Sequence, residues 1–434
     1  MKKIIISLAL LISVGNIMAQ TPEEKAALKE AKKEAKTFLG EAQKIKEYIE
    51  PKISEKSAGE PEILEKCTKG IEAAQKALKT NGIEEKKLGE VYKIIADLAQ
   101  PVNNILIGYA SSQSPLDTLL FFNNLKTLTD GIHNEVKYTK VVKGEGGNEA
   151  YLKAKKLNLA SCGVYYIYAA QFLASAHKPE LALQAYEDAM NYTKTYPEVA
   201  DQVKLPIGDA QIAYYAFHTA HDAKMFDAMD KYYEKAMEFE QGAEGTQQIK
   251  ILSYLEKGDT VAWANYLREA TIKDPVKNTD YVQMLLSYYQ KQSKEKMVEY
   301  ADAILAVDPN VYIANYGKAF AMFANEKYEE ALALYKKCTE IKSDSYDSWY
   351  QCGLCKYREA LDLNNTISSI KNQQKAKETL EKTKKLFGEA IPFFEKAREC
   401  TPDEPDKWAY ELKQCYTVTG NAAKAAEMAK LIGD

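Results

Sequence analysis

The feature that most constrains this chain is a spacing. Helical pattern runs through most of the residues after 150, and one sub-pattern recurs within it: a small or apolar residue, an aromatic or aliphatic one four later, a small one three after that, and often Pro beyond. It reads Ala182-Tyr186-Ala189, Met229-Tyr233-Ala236, Trp263-Leu267-Ala270-Pro275, Met297-Ala301-Ile304-Pro309, Ala331-Tyr335-Cys338 and Ala390-Phe394-Ala397-Pro402, with Ala425-Ala429-Ile432 near the C-terminus. Successive starts lie 47, 34, 34, 34, 59 and 35 residues apart. Three consecutive intervals of 34 mark a repeated supersecondary unit. In three copies the Pro stands twelve residues after the start, where it ends the second helix of the unit. Only 21 Gly and 13 Pro among 434 residues leave few turn formers for a β-rich fold, so the expected class is all-α.

The first helix of each unit has its own signature. Trp349-x-x-Cys352-Gly353, Ile313-x-x-Tyr316-Gly317-x-x-Phe320 and Tyr281-x-x-Met284-Leu285-x-x-Tyr288 share a spacing that puts large residues on one face and a small one where two helices touch. On these residues the chain resembles tetratricopeptide-repeat (TPR) proteins, whose pattern W-x₂-L-G-x₂-Y…A-x₃-F…P has period 34 and folds as helix-turn-helix. The resemblance covers residues 157 to 434. It implies a right-handed α-solenoid of antiparallel helix pairs, here about seven units, whose concave surface is lined by the first helices.

The expected organisation is a signal segment at 1–19, a helical region at 20–147 and the solenoid at 148–434. Two irregularities interrupt the solenoid. Between Gly353 and Ala390 an insert at about 361–385, rich in Lys, Glu and Gln, reads as two extended helices with a turn at Asn364-Asn365-Thr366. The stretch from Tyr196-Pro197 to Pro206-Ile207-Gly208 reads as a long connection. Either is a docking feature or a tolerated insertion. Upstream, residues 21–50 form a Lys/Glu/Ala-rich helix, and 61–100 give two more, ended by Asn81-Gly82 and by Pro101. In the amphipathic segment 116–140, Phe121, Phe122 and Leu125 form the buried face. Gly144-Glu-Gly146-Gly147 lacks the following Lys-Ser/Thr of a phosphate loop and reads as a linker. Whether 20–147 are decayed repeats or an unrelated helical cap stays open.

Lys2 and Lys3, an apolar run from Ile4 to Val14 and small or polar residues up to Ala19-Gln20 have the three-part form of a secretory signal cleaved after Ala19. No Cys stands at that point and no later apolar run reaches spanning length, so the expectation is an exported, periplasmic chain without a lipid anchor or a membrane span in its mature form. With 56 basic against 62 acidic residues left after cleavage, a nucleic-acid partner is not expected. Seven cysteines are too sparse for a disulfide scaffold. Cys352-Gly-Leu-Cys355 is formally a redox motif, but it follows Trp349 and Tyr350 inside a helical run instead of opening a helix, and reads as packing.

Four histidines offer little for catalysis. His218, His221 and Asp222 share one helical face and make a weak candidate for a two-His, one-carboxylate metal set, although the H-E-x-x-H spacing is absent. No cofactor and no enzymatic activity are expected. The TPR resemblance implies instead that a protein or peptide partner lies in the concave groove. By register the groove would be lined by Tyr214, His218, His221, Val282, Leu286, Tyr289, Lys318, Tyr350, Tyr357 and Arg358. Thirty tyrosines suit such a surface, since each offers apolar area with a polar tip. The alternatives are a structural role in a cell-envelope or secretion assembly, docking through the 361–385 insert, and glycan binding on aromatic residues.

Overall fold

The structure is a computed structural model that describes residues 21–112 and 114–433; the proposed signal at 1–19 lies outside them. Among the described residues no strand occurs. The helices of ten residues or more are α1 (Pro22–Ser54), α2 (Glu60–Lys79), α3 (Glu85–Ser111), α4 (Thr118–Tyr138), α5 (Glu149–Ser175), α6 (Pro179–Met190), α7 (Asp209–Asp222), α8 (Phe226–Met237) and α9 (Glu240–Glu256). They continue with α10 (Thr260–Lys273), α11 (Thr279–Gln292), α12 (Lys294–Val307), α13 (Tyr312–Ala324), α14 (Tyr328–Ile341), α15 (Tyr346–Thr366), α16 (Gln373–Cys400), α17 (Ala409–Thr419) and α18 (Ala422–Leu431). The chain divides into two compact units between Ser253 and Tyr254.

In the second unit the period is visible in the helices themselves. The second helices α10, α12 and α14 begin at Thr260, Lys294 and Tyr328, 34 residues apart, and each has 14 residues. Trp263, Met297 and Ala331 stand at one buried position of this repeat, and Leu267, Ala301 and Tyr335 at another. Pairs are antiparallel: the Cys338 thiol near the end of α14 reaches the Tyr312 carbonyl that opens α13. The first-helix register differs from the expected one in one unit. Since α13 and α15 also start 34 apart, Ala319 occupies the place of Gly353, and Gly317 lies two residues earlier, against Leu286 and Met297 of the preceding pair.

The insert lengthens one pair. Helix α15 has 21 residues and α16 has 28, and they run antiparallel, with Tyr350 and Phe394 ring centroids 5.4 Å apart and Tyr357 and Phe387 at the same distance. The turn falls at Ile367–Ser369, beyond the expected 364–366, because Asn372 caps α16 by accepting from the Lys375 amide at 3.0 Å.

The first unit repeats the same hairpin. Gly70 of α2 packs on Ile45 of α1 and Leu98 of α3, Gly131 of α4 packs on Ala96 of α3, and the Tyr166 hydroxyl of α5 meets Thr129 of α4 at 2.9 Å. One core runs from Ala42 to Ala236, so residues on both sides of the Gly144–Gly147 turn share it. Phe121, Phe122 and Leu125 lie in that core as expected. Helix α3 does not stop at Pro101. It continues for ten more residues because Val102 and Leu106 extend the buried stripe of Ile95 and Leu98, and burying two such side chains at about 1.5–3 kcal/mol each offsets the roughly 3 kcal/mol cost of an interior proline. The connection after α6 is pinned, not loose: Tyr196 is buried and its hydroxyl donates to Asp130 at 2.8 Å.

Within hairpins, the turns from first to second helix place His177, Lys224, Gly258, Glu326 and Gly420 in the left-handed region, two residues past the helix end or, for Gly420, one. Lys224 and Gly258 are themselves 34 apart. This recurring turn reverses the chain in the fewest residues.

Two measurements test the packing. A Cβ on Gly353 would lie 2.7 Å from the buried Phe394 ring, whereas one on Gly388 of α16 meets nothing closer than 3.8 Å. Gly353→Ala should therefore lower stability by about 1–3 kcal/mol, and Gly388→Ala should raise it by about 0.5–1 kcal/mol through helix propensity; equal melting shifts would contradict this register. In thiol labelling of the native chain, Cys400, which is partly exposed, should react first, ahead of the six buried cysteines.

Candidate functional site

Of the residues expected in the groove, Tyr214, His218 and His221 belong to the first unit and the other seven to the second. Tyr214, His218 and His221 on α7 are half-buried. The Tyr214 ring sits 4.3 Å from that of His218 and 5.3 Å from Phe239, and it closes over Gly242. Burial pushes the His218 imidazole below its ordinary value, which favours the neutral ring, and its Nε2 is buried without a hydrogen-bond partner. Asp222 points largely into solvent and approaches His221 Nδ1 at 3.5 Å. Among the described residues no three His, Cys, Asp or Glu side chains are grouped to hold a metal ion, and His218, His221 and Asp222 are no exception.

In the second unit Val282, Leu286, Tyr289 and Tyr357 are buried; Val282, Tyr289 and Tyr357 pack inside, while Leu286 reaches a surface only as part of the floor of the groove between α11 and α13. Lys318 pairs with Asp302 at 2.6 Å. The Tyr350 hydroxyl donates to Glu411 at 2.9 Å while its ring stacks on Tyr346 at 5.3 Å. Arg358 is exposed on α15. The reason for the correction is angular: a helix turns by about 100° per residue, and on α11 the exposed stripe is Gln283, Ser287 and Gln290, one residue on from Val282, Leu286 and Tyr289.

That stripe faces Ile313, Tyr316, Gly317 and Phe320 of α13 across a shallow groove of about 190 Å³, floored by Leu286 and Met297. Gly317 sets its depth, since a Cβ there would stand 3.1 Å from Leu286. Its walls thus offer side-chain amides from one first helix and aromatic and aliphatic surface from the next. The cysteines bring no chemistry to it: burial pushes the Cys338, Cys355 and Cys415 thiols up to about 12, and Cys352 is raised further.

Sequence reasoning missed a second feature altogether. In the first unit a cleft of about 760 Å³ opens between α1, α3 and α5, with α2 and α4 contributing to its floor. Lys46 of α1 and Lys155 of α5 both reach the Asp97 carboxylate of α3, at 2.6 and 2.8 Å. Lys155 also lies 3.2 Å from the Glu135 carboxylate, which accepts the Tyr151 hydroxyl at 2.6 Å. Lys93 stands 5.0 Å from the Tyr151 ring centroid. An amide chain runs along the rim, Asn158 donating to Gln100 at 2.5 Å and Gln100 to Asn104 at 2.9 Å. The signal was present in the sequence as polar residues inside apolar stripes: Lys46 falls between Ala42 and Ile49, and Asp97 between Ile94 and Pro101.

Burial by itself would raise the Asp97 carboxyl, but the hydrogen bonds and charges of Lys155 and Lys46 outweigh it and hold the group below its ordinary 3.8. Lys155 mirrors this: burial works to lower it, and Asp97 with Glu135 hold it above 10.5. The Asp97 contribution to stability is thus present above pH 3.8 and lost as the pH falls through the lower folded value, while that of Lys155 is complete below 10.5 and lost as the pH rises through the higher one. Asp97→Asn should cost about 3 kcal/mol near neutrality, and its deficit should shrink below about pH 4. Urea unfolding of both proteins across that range measures it; parallel curves would show that Asp97 is not held ionised by its lysines.

No protein-family model matches the chain, and no curated protein matches it. Among solved structures it is similar to MamA, at 16% identity over 41% of this chain and 88% of that one, with a TM-score of 0.29. It is similar to the C-terminal part of a TPR repeat-containing protein from Cytophaga hutchinsonii, at 16% identity over 61% and 93%, TM-score 0.35. It is also similar to YrrB, a TPR protein with an unusual peptide-binding site, at 16% identity over 64% and 98%, TM-score 0.20. The second and third of these are described as TPR proteins; the fold of this chain, read from its own helices, is all-α and built from helix-turn-helix units at the TPR period.

Proposed function

We propose that this chain is a non-catalytic scaffold that holds a segment of another protein against its first helices. The observation that carries the reading is the groove between α11 and α13. An extended segment brings backbone amides and carbonyls every residue and side chains on alternate sides. Gln283 and Gln290 supply donors and acceptors for the former, and Ile313 and Phe320 supply apolar contact for the latter. Phe320 is exposed although large and apolar, which is the pattern of an anchor point and not of a packed core. The buried, proton-holding thiols and the neutral His218 support a binding role over a chemical one. Export to the periplasm, proposed from residues 1–19, is compatible with helices none of which, among the described residues, is long and apolar enough to cross a membrane.

A second reading, docking into an envelope assembly, is favoured by the α15–α16 arm. Its end carries Lys371, Lys375, Lys377 and Lys382, all exposed and without an ion-pair partner among the described residues. The two readings separate in one experiment. The tagged chain is cross-linked in its native host beside a groove variant, Gln283→Ala with Gln290→Ala and Phe320→Ala, and beside a variant in which a short turn replaces residues 361–385. The groove variant should lose the captured protein, with at least a tenfold fall in yield and unchanged helicity. Loss only in the arm variant would put the assembly role in its place, and capture unaffected by either would overturn both.

A further inference from the structure

The cleft of the first unit is polar at one end and apolar at the other, and this gradient identifies what it can hold. Its three first helices run side by side in the same direction, as their contacts show: Lys32 lies by Glu84 and Lys46 by Asp97, while Tyr151 lies by Lys93, Lys155 by Asp97, and Asn158 by Gln100. Going along α3 from Lys93 to Ile105 covers about 18 Å. At the start of that path stand Lys93 and Tyr151, then Lys46, Asp97 and Lys155. At its end stand Pro101 and Ile105 with Ile53 and Ile63, edged by the amides of Gln100, Asn104 and Asn158.

The pairing at the polar end leaves one ammonium out. The cleft is lined by three ammonium groups and two carboxylates, and a third carboxylate, Glu135, lies behind it 3.2 Å from Lys155. Asp97 is taken by Lys46 and Lys155 together, and Glu50, at the rim, approaches Lys46 at 3.6 Å. Lys93 is left with an aromatic face and no carboxylate among the described residues. An ammonium at the edge of a cleft and paired with no carboxylate favours an acceptor of one negative charge. The volume of about 760 Å³ is within the range of small-molecule sites.

We propose that this cleft is a second binding site, independent of the α11–α13 groove, for an amphiphilic monoanion: a carboxylate seated at Lys93 beside Tyr151, and an unbranched apolar body lying along α3 against Pro101, Ile105 and Ile53. The carboxylate gives the Lys93 ammonium the partner it lacks. The apolar body covers half-buried isoleucine side chains and removes their surface from water. Glu135, buried behind the cleft, keeps Lys155 engaged and so leaves the added anion to Lys93.

Titration calorimetry of the full mature chain with dodecanoate, below its micelle concentration, tests this. Saturable binding of one equivalent is expected. Lys93→Gln should weaken it at least tenfold; Lys93 is exposed and makes no ion pair, so this variant should fold as the parent does, which circular dichroism checks. Ile105→Asn should weaken dodecanoate as strongly from the opposite end. Acetate should not bind measurably, dodecanol should bind at least tenfold more weakly, and dodecyl sulfate, an anion of the same shape, should compete. Equal binding of dodecanol, no effect of Lys93→Gln, or no saturable binding at all would overturn the assignment, as would capture of an acidic peptide that dodecanoate cannot displace. The groove variant in α11 and α13 should bind dodecanoate unchanged, so failure of one site leaves the other standing.

Discussion

Everything in this molecule depends on close approach between helices that cannot bury their apolar faces alone. A lone amphipathic helix of a dozen residues is marginal in water, and each pair here leaves a second apolar face that only the next pair covers. The contact is made by small residues at fixed places. Gly70 admits Leu98 and Ile45, Gly131 lies against the backbone of Ala96, Gly317 meets Leu286, and Gly353 receives the Phe394 ring. Where the small residue moves by two positions, as from Gly353 to Gly317, the neighbour it admits changes from the partner helix to the preceding pair. The spacing of 34 is thus the outward sign of a mechanical requirement: two helices of about four turns and two reversals before the same face comes round.

The same requirement explains which expectations held and which moved. The helix pairs and their period were legible because Trp263, Met297 and Ala331 repeat a buried position exactly one unit apart. The extended pair at α15 and α16 was legible because charged residues with spaced Leu and Ile signal long helices. Pro101 misled because a local rule, that proline ends helices, lost to burial of Val102 and Leu106. Val282 and Tyr289 misled for a different reason. Periodicity locates a buried stripe well, but the groove is its border, and an error of one residue exchanges Gln283 for Val282, one exposed and the other wholly buried.

The charged cleft escaped because its parts are far apart in sequence. Lys46, Asp97, Glu135 and Lys155 come from four helices, and no local motif links them. Each does break an apolar stripe, and such breaks are where sequence and packing disagree. Stability alone is a poor account of them. A buried ion pair returns little over a well-packed apolar set of the same volume, while losing one partner is costly. Placing Lys46 and Lys155 on one carboxylate therefore makes a rigid but unprofitable structure unless the polarity is used.

Its use follows from what the rest of the surface lacks. The α11–α13 groove is shallow and offers neutral amides and rings, a chemistry that accepts many backbones and discriminates through side-chain fit. The cleft is four times larger by volume, fixed by ion pairs held on both sides of neutrality, and graded from cationic to apolar along α3. A pre-ordered polar end does not have to be assembled when a ligand arrives, so the ordering cost that weakens association at flexible sites is already met in the fold. Pro101 joins the two ends of this arrangement. Lacking an N–H, it leaves the Asp97 carbonyl without its usual helical partner at the level where the cleft passes from charged to apolar, and the helix continues only because the buried side holds it. The residue that most conflicts with α3 as a helix is thereby part of the wall that gives α3 a surface to bind with.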